Sequence, residues 1–178
     1  VHLVETSPVR RDQQAARVPG ATFHDDVSSL PTDRPLIIVA NEFFDALPIR
    51  QMLRTREGWR ERVVALDQGR FVAAAGPVPM DGAVPPLLRT QPPGTILESC
   101  PAGAAIMGDV AATLARQGGA ILAIDYGYPA TAPGDTLQAI KGHRHVDPFA
   151  DAGEVDLTAH VDFGALGAVG RNAGLRVS

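Results

Sequence analysis

Residues 35 to 48 read Pro35-Leu-Ile-Ile-Val-Ala-Asn-Glu-Phe-Phe-Asp-Ala-Leu-Pro48. The five apolar residues from Leu36 to Ala40 predict a strand that is buried on both faces, as in a parallel sheet. Asn41 and Glu42 follow this strand directly, and Asp45 comes three positions after Glu42. Open α/β sheets bind their ligands at the carboxyl ends of parallel strands, so this stretch predicts a site as well as a strand.

The composition indicates one ordinary globular domain of 178 residues, 45% hydrophobic and 20% charged. A net charge of −4 gives no reason to expect a nucleic-acid partner. Cys100 is the only cysteine, which excludes an internal disulfide and a cysteine-rich zinc site and suits a reducing compartment. No apolar run approaches the roughly 20 residues that a membrane helix needs, and residues 1–14 lack the layout of a signal peptide.

Outward from the opening stretch, the chain alternates strands and helices. Before it lie a strand over residues 1–4, a helix from Ser7-Pro8 to about residue 18, and a strand over residues 21–24. An acidic residue follows each strand, and the order favours a parallel sheet. Later segments predict a helix over 101–117 with apolar residues on one face, a buried strand over 120–124, a helix over 163–172 and a strand beginning at 174. The apolar face of the helix over 101–117 comprises Ala105, Ile106, Val110, Ala111 and Leu114.

Residues 49–76 interrupt this alternation. Three partly alternating stretches, separated by short turns, predict an antiparallel hairpin or meander inserted into the parallel sheet. Residues 76–93 contain six prolines and predict an irregular surface connection. We therefore expect a single domain over residues 1–178 that carries an inserted β element over residues 49–76.

Acidic or amide side chains follow four of the predicted strands. If the strands are parallel and adjacent, these side chains lie along one edge of the sheet, where carboxylates can accept hydrogen bonds from ribose hydroxyls or an adenine amino group. The alternative is that each acid only caps a helix or forms a turn. The residues are Glu5, Asp25, Asp26, Asn41, Glu42 and Asp125.

Two aromatic residues, Phe43 and Phe44, lie between the acids Glu42 and Asp45. Carboxylates beside aromatic rings suit a cationic group such as a guanidinium or an ammonium. The alternative is a capped turn between a strand and a helix. The segment therefore predicts a site for a cationic substrate group.

Histidines supply the remaining candidates. His143 and His145 flank Arg144 in a polar stretch, which is either a solvated loop or a lid that carries a proton acceptor or a substrate contact. The pair lacks the pattern of a metal site, and we expect no metal. His160 precedes the last helix and is either a residue of the cap region or a site residue. The chain has no nucleophile-elbow pattern, phosphate-loop lysine or glycine-rich dinucleotide fingerprint.

Five segments in order resemble the MidA-type methyltransferases, relatives of the mitochondrial complex I assembly-factor methyltransferase. The most specific is the string from Ala40 to Pro48. The others are Val1-His-Leu-Val-Glu-Thr-Ser-Pro8, Ala123-Ile-Asp-Tyr-Gly127, Lys141-Gly-His-Arg144 and Asp156-Leu-Thr-Ala-His-Val-Asp-Phe163. The resemblance covers nearly the whole chain and implies the Rossmann-like α/β fold of class I methyltransferases that use S-adenosyl-L-methionine.

The resemblance also implies roles. Glu5 would bind the ribose hydroxyls of the cofactor, Asp25 and Asp26 would lie near its adenine, and Asn41 would also contact it. Asn41, Glu42 and Asp45 would be catalytic, with Glu42 and Asp45 holding the guanidinium of a protein arginine. The residues expected to bind substrate are Phe43, Phe44, Asp125, Tyr126, His143 and His160.

One departure from the family pattern concerns the sheet. The family places a first strand and a glycine-rich loop before the position of Glu5, and a seventh strand near the end, and neither is present in these 178 residues. We therefore expect an incomplete sheet in an internal piece of a larger protein. The intact protein is expected to bind S-adenosyl-L-methionine, and a chain limited to these residues is not.

Three functions remain open at this point. The first is methylation of a protein arginine, with a respiratory complex I subunit as a possible partner and with a possible homo-oligomer. The second is methylation of a small molecule, and the third is an inactive assembly or scaffold protein with the same fold. The expected location is the cytoplasm of a bacterium or the mitochondrial matrix of a eukaryote.

Overall fold

A computed structural model describes residues 1–151 and 153–178 as an α/β fold with mixed sheets. The helices within these ranges are α1 (Pro8–Arg17), α2 (Pro101–Gln117) and α3 (Phe163–Asn172). The strands are β1 (His2–Val4), β2 (Thr22–His24), β3 (Leu36–Asn41), β4 (Arg50–Thr55), β5 (Gly58–Asp67), β6 (Arg70–Pro79), β7 (Ile96–Ser99), β8 (Gly119–Ile124), β9 (Gly127–Tyr128), β10 (Gln138–Lys141), β11 (Arg144–Val146), β12 (Asp156–Thr158) and β13 (Val161–Asp162). None of the helices in the described ranges has the length and apolar character that crossing a membrane requires.

The first of two compact units contains Val1–Val39, Ala104–Leu122 and Gly167–Ser178. Its strands β1 and β2 are parallel, as expected. The helix between them also begins as predicted, because Ser7 Oγ accepts a hydrogen bond from the amide of Arg10 at 3.4 Å and Pro8 occupies the first helical position.

Strand β3 pairs with β8, and the unit boundary falls within both strands. The amide of Leu36 donates to Gly118 O at 3.3 Å and that of Glu42 to Ile124 O at 2.9 Å, so the two strands run parallel. The prediction that β3 is buried on both faces is wrong. Ile37 is 89% exposed and Val39 62% exposed, because alternate residues point to a face that no described element covers.

Helix α2 ends at Gln117, as predicted, and Gly119 is required by the pairing that follows. A Cβ on Gly119 would lie 2.0 Å from Leu36 O, and its φ of +126° also disfavours any other residue. The buried residues of α2 in this unit are Met107, Val110, Ala111 and Leu114. Ala105, predicted on the buried face, is exposed, because a position two residues from Met107 lies on the opposite side of a helix.

The second unit contains Ala40–Gly103 and Ala123–Leu166, and its largest sheet has the order β6-β5-β4-β7 with every neighbouring pair antiparallel. Trp59, with no exposed surface, is the centre of its core, and its indole Nε1 donates to Arg89 O at 3.1 Å. The core cluster comprises Met52, Trp59, Met80, Val84 and Leu97. The expected irregular surface connection over 76–93 is therefore wrong for Met80 and Val84, whose apolar side chains are buried between the prolines.

The polar stretch that contains the histidines forms a hairpin rather than a loop. Strands β10 and β11 are antiparallel, and the two residues between them, Gly142 and His143, have φ values of +56° and +62°, which are typical of a type I′ turn. The other side of β10 pairs with β12.

The strand predicted from residue 174 onward is wrong, because residues 174–178 have no strand in the structure. Gly174, at φ +92°, reverses the chain after α3, and the amide of Leu175 donates to Gly170 O at 3.0 Å. This bond is typical of a Schellman motif, which ends the helix and turns the chain back toward it.

Candidate active site

The turn after β3 contains the strongest candidate residues, and it belongs to the second unit. Glu42 has a left-handed backbone, with φ of +47°, and its side chain is exposed. Phe44 is 4% exposed, and its ring packs edge-on against that of Phe43, with 5.1 Å between the ring centroids. The turn therefore leaves the Glu42 side chain exposed, next in sequence to a half-buried Phe43 and a buried Phe44.

Asp125, at the end of β8, holds this turn in place. Its Oδ2 accepts hydrogen bonds from the amides of Phe44 and Asp45 at 3.0 and 3.2 Å, and its Oδ1 accepts one from the amide of Tyr126 at 2.9 Å. A carboxylate that accepts three amide bonds fixes the backbone of two strand ends at once. The predicted residues Asp45, Asp125 and Tyr126 are thus brought together, with Asp125 in a structural contact.

Residues 159–161 border the same turn, and each of their amides donates to a different segment. The amide of Ala159 donates to Asp45 O at 3.0 Å, that of His160 to Thr136 Oγ1 at 2.9 Å and that of Val161 to Tyr126 O at 2.8 Å. His160 is therefore the next residue in sequence after Ala159, which is hydrogen-bonded to the turn. Gly127 is required nearby, since a Cβ there would lie 2.1 Å from Val161 O.

Three carboxylates lie in or against this turn, those of Glu42, Asp45 and Asp125. Asp45 is the most buried of the three, at 9% exposure. Among residues 1–151 and 153–178, no lysine, arginine or histidine forms an ion pair with Glu42, Asp45 or Asp125. Burial raises the pKa of Asp45, and the negative charges of Asp125 and Glu42 raise it further. The site therefore carries negative charge that a cationic ligand would neutralise.

This raised pKa has a consequence for stability. Below about pH 3, Asp45 is protonated in both the native and the unfolded protein. As the pH rises above 3.8, the ordinary pKa of an aspartate, the unfolded chain releases this proton before the native protein does. The native state then holds an extra proton, so the free energy of unfolding falls as the pH rises through this window. We expect Asp45→Asn to raise the free energy of unfolding at neutral pH and to give no such gain near pH 3.

The measurement is urea unfolding at both pH values. Asp109→Asn is the matched control, since Asp109 is an exposed aspartate on α2. A gain for Asp45→Asn that is equal at the two pH values would contradict the proposed cause.

The acids predicted to bind a cofactor lie in the first unit, at the carboxyl ends of β1 and β2. Glu5 is half-buried, and its Oε1 accepts a hydrogen bond from the amide of Ser7 at 2.9 Å. Arg11 links the two strand ends, because its guanidinium donates to Glu5 O and, at 2.7 Å, to Asp25 Oδ1. Asp25 is thus held close to the end of β1.

Asp26 has a local structural role. Its Oδ1 accepts hydrogen bonds from the amide of Ser28 at 2.8 Å and from the Ser28 hydroxyl, so that it caps the short helical turn Val27–Ser29. These bonds also lower the pKa of the Asp26 carboxyl. A contact between Asp26 and adenine stays a prediction.

The histidines of the hairpin are not hydrogen-bonded to the acids of the turn after β3 in the described part of the chain. His143 and His145 are exposed, and among the described residues no hydrogen bond joins either side chain to the turn after β3. The part of the chain that the structure describes contains no group of three or more His, Cys, Asp or Glu residues that could hold a metal ion. A substrate contact for His143 stays a prediction.

The sequence reasoning missed one buried network, built around Glu98 on β7. Glu98 is 5% exposed, and its Oε1 accepts hydrogen bonds from Gln51 Nε2 at 2.7 Å and from the amide of Thr136 at 3.0 Å. Burial, followed by the negative charges of Asp162 and then Glu98, raises the pKa of Tyr128 to about 12. The available signal was a glutamate within the apolar stretch Thr95-Ile-Leu-Glu-Ser99.

Comparisons with known proteins bear on this geometry. A family model described as "Putative S-adenosyl-L-methionine-dependent methyltransferase" matches residues 1–178. Among curated proteins, the protein arginine methyltransferase NDUFAF7 of Xenopus tropicalis mitochondria is 33% identical over 192 residues, covering 92% of this chain and 44% of that protein. The Danio rerio protein of the same name is 38% identical over 135 residues, covering 73% of this chain and 31% of the relative.

Two solved structures from Burkholderia thailandensis are also similar. The first is an uncharacterized protein that is 30% identical, with a TM-score of 0.78, and the match covers 97% of this chain and 50% of that one. The second, bound to S-adenosyl-homocysteine, is 31% identical, with a TM-score of 0.77, covering 97% and 48% of the two chains.

The chain spans about half the length of the relatives and structures that it matches. The family model nevertheless matches the chain from the first residue to the last, and the resemblance seen in the sequence is confirmed. The chain therefore belongs to this family of S-adenosyl-L-methionine-dependent methyltransferases.

Proposed function

We propose that the whole protein transfers a methyl group from S-adenosyl-L-methionine to an arginine side chain of a protein. The observation that carries this proposal is the unpaired negative charge around the turn after β3. Glu42, Asp45 and Asp125 have no cationic partner among the described residues, and Asp45 is buried. A guanidinium is a planar cation that matches carboxylates and stacks on aromatic rings, so the acids and the adjacent phenylalanines suit it.

Within this proposal the residues of the turn have different roles. The exposed Glu42 carboxylate binds the guanidinium and accepts a proton from the nitrogen that is methylated. The buried Asp45 supplies negative charge that favours the cationic group, and Phe43 and Phe44 form an apolar wall that excludes water. When bound, the cofactor supplies an activated methyl group on a sulfonium centre.

The residues of the first unit fit the cofactor in their chemistry. Glu5 places a half-buried carboxylate at the end of a parallel strand, the position where such sheets bind ribose hydroxyls. The carboxylate is already oriented by the amide of Ser7, and Gln14 Nε2 approaches its other oxygen at 3.5 Å. Asp25 and Asp26, at the end of β2, are the further residues of this unit that we expect to contact the cofactor. We also expect a cofactor contact for Asn41, which belongs to the second unit.

The cofactor role of Glu5 predicts a loss of affinity. In the full-length protein, Glu5→Gln should weaken binding of S-adenosyl-L-methionine about tenfold, because an amide replaces one acceptor oxygen with a donor. Isothermal titration calorimetry measures this directly. Asp12→Asn is the control, since Asp12 is an exposed acid on α1, and equal affinities for the two variants would refute the role of Glu5.

The family and the relatives support the proposal at a coarser level. The matching relatives are named protein arginine methyltransferases, and one similar structure holds S-adenosyl-homocysteine, the product that a methyl transfer leaves. We further infer a Rossmann-like class I sheet in the whole protein, with residues 49–76 as its inserted β element. A respiratory complex I subunit as substrate, a homo-oligomer, and a location in the bacterial cytoplasm or the mitochondrial matrix belong to the same proposal.

The test is transfer of labelled methyl groups from S-adenosyl-L-methionine into a lysate of the natural host, catalysed by the full-length protein. The expected result is label in protein, recovered after hydrolysis as methylated arginine. Label found only in small metabolites would contradict the arginine proposal and favour a small-molecule acceptor.

A further inference from the structure

The segment that borders the turn after β3 is held by a buried carboxylate of the antiparallel sheet. Glu98 Oε1 accepts hydrogen bonds from Gln51 Nε2, the amide of Thr136 and the amide of Leu137, at 2.7, 3.0 and 3.2 Å. Its Oε2 accepts one from the Thr136 hydroxyl. All four bonds come from neutral donors, and two of them come from consecutive backbone amides. Glu98 therefore fixes residues 136 and 137 against β7.

Thr136 passes this constraint on to His160. The Thr136 hydroxyl has one proton, and it donates that proton to Glu98 Oε2. The oxygen lone pairs are then directed away from Glu98, and one of them accepts the amide of His160 at 2.9 Å. The hydrogen bond to Glu98 thus orients the hydroxyl and keeps its oxygen an acceptor for the amide of His160.

We propose that Glu98 and Thr136 form a positioning pair that aligns residues 159–161 beside the acceptor site. The amides on either side of His160 donate to Asp45 O and Tyr126 O, so a shift at residue 160 is transmitted to the turn that carries Glu42. Neither Glu98 nor Thr136 touches a reacting atom in this proposal. The expected effect of this pair on catalysis rests on the proposed methyl transfer. Its expected effect on the position of residues 159–161 rests on the hydrogen bonds alone.

Thr136→Val tests the pair, because valine keeps the shape of threonine and removes the hydroxyl. In the full-length protein we expect about a tenfold lower kcat for methyl transfer, with an unchanged KM and Kd for S-adenosyl-L-methionine. Thr136→Ser retains the hydroxyl and should restore most of kcat. Thr95→Val is the matched control, since the Thr95 hydroxyl donates to Pro92 O at 2.8 Å and not to a residue of this network.

A second measurement separates the pair from the proposed function. The hydrogen-exchange rate of the His160 amide should rise at least tenfold in Thr136→Val and stay close to that of the unaltered protein in Thr136→Ser. Exchange that is unchanged in Thr136→Val would overturn the pair, as would an equal loss of kcat in the valine and serine variants. If the unaltered protein transfers no methyl group, the proposed function fails, while the exchange rates still support or refute the pair.

Discussion

Glu42→Gln in the full-length protein is expected to reduce kcat for methyl transfer by about 100-fold or more. The side chain keeps its size and its exposure, but it loses the negative charge that would hold a guanidinium and accept its proton. Binding of S-adenosyl-L-methionine should change by less than about twofold, because the acids expected to contact its ribose and adenine are elsewhere in the chain. Radiolabelled transfer under single-turnover conditions, with calorimetry for the cofactor, measures both quantities.

Glu57→Gln is the matched control for this variant. Glu57 is also a glutamate in a turn of the second unit, with a side chain that is 85% exposed and one loose ion pair to Arg60 at 3.9 Å. Its replacement should leave kcat within about twofold of the unaltered protein. If Glu42→Gln and Glu57→Gln had the same kcat, Glu42 would have no part in catalysis.

Asp125→Ala is expected to lower the free energy of unfolding by about 3 kcal/mol. It would leave three backbone amides without their acceptor, and two of them belong to Phe44 and Asp45, which are 4% and 9% exposed and have little access to water. Removal of a like charge near Asp45 offsets part of this loss. Urea unfolding at neutral pH, followed by tryptophan fluorescence and circular dichroism, measures the difference.

Asp147→Ala provides the comparison for Asp125→Ala. The Asp147 carboxylate accepts a single amide bond, from Phe149 at 2.9 Å, in an exposed segment, so its loss should cost at most about 1 kcal/mol. A loss below 1 kcal/mol for Asp125→Ala would mean that water replaces the carboxylate and that the turn does not depend on it.

The local structure could be predicted from the sequence wherever short-range chemistry determines it. Ser7 and Pro8 start α1, the glycines after Gln117 end α2, and both signals depend only on neighbouring residues. The exposed face of β3 could not be predicted, because a run of apolar residues records which faces prefer burial and not which neighbours are present to bury them. Met80 and Val84 were missed for the opposite reason, since the prolines around them suggested surface.

The candidate site was predicted in part. The string from Asn41 to Asp45 indicated a turn that carries acids and aromatic rings, and the structure places Asp125 against it. The roles of Glu98 and Thr136 were not predictable, because hydrogen bonds between residues 38 positions apart leave no periodic signal in a sequence. Network residues of this kind become visible only when partners and burial are known.

The left-handed backbone at Glu42 affects which amino acids would be favoured at residue 42 by selection for stability and by selection for activity. Glycine adopts a φ of +47° freely, and asparagine does so more readily than glutamate, so a requirement for folding alone would favour either of them. A glutamate at this position indicates that some other requirement opposes that preference. Libraries sorted for yield or thermal tolerance would therefore enrich replacements at residue 42 that libraries sorted for methyl transfer would reject.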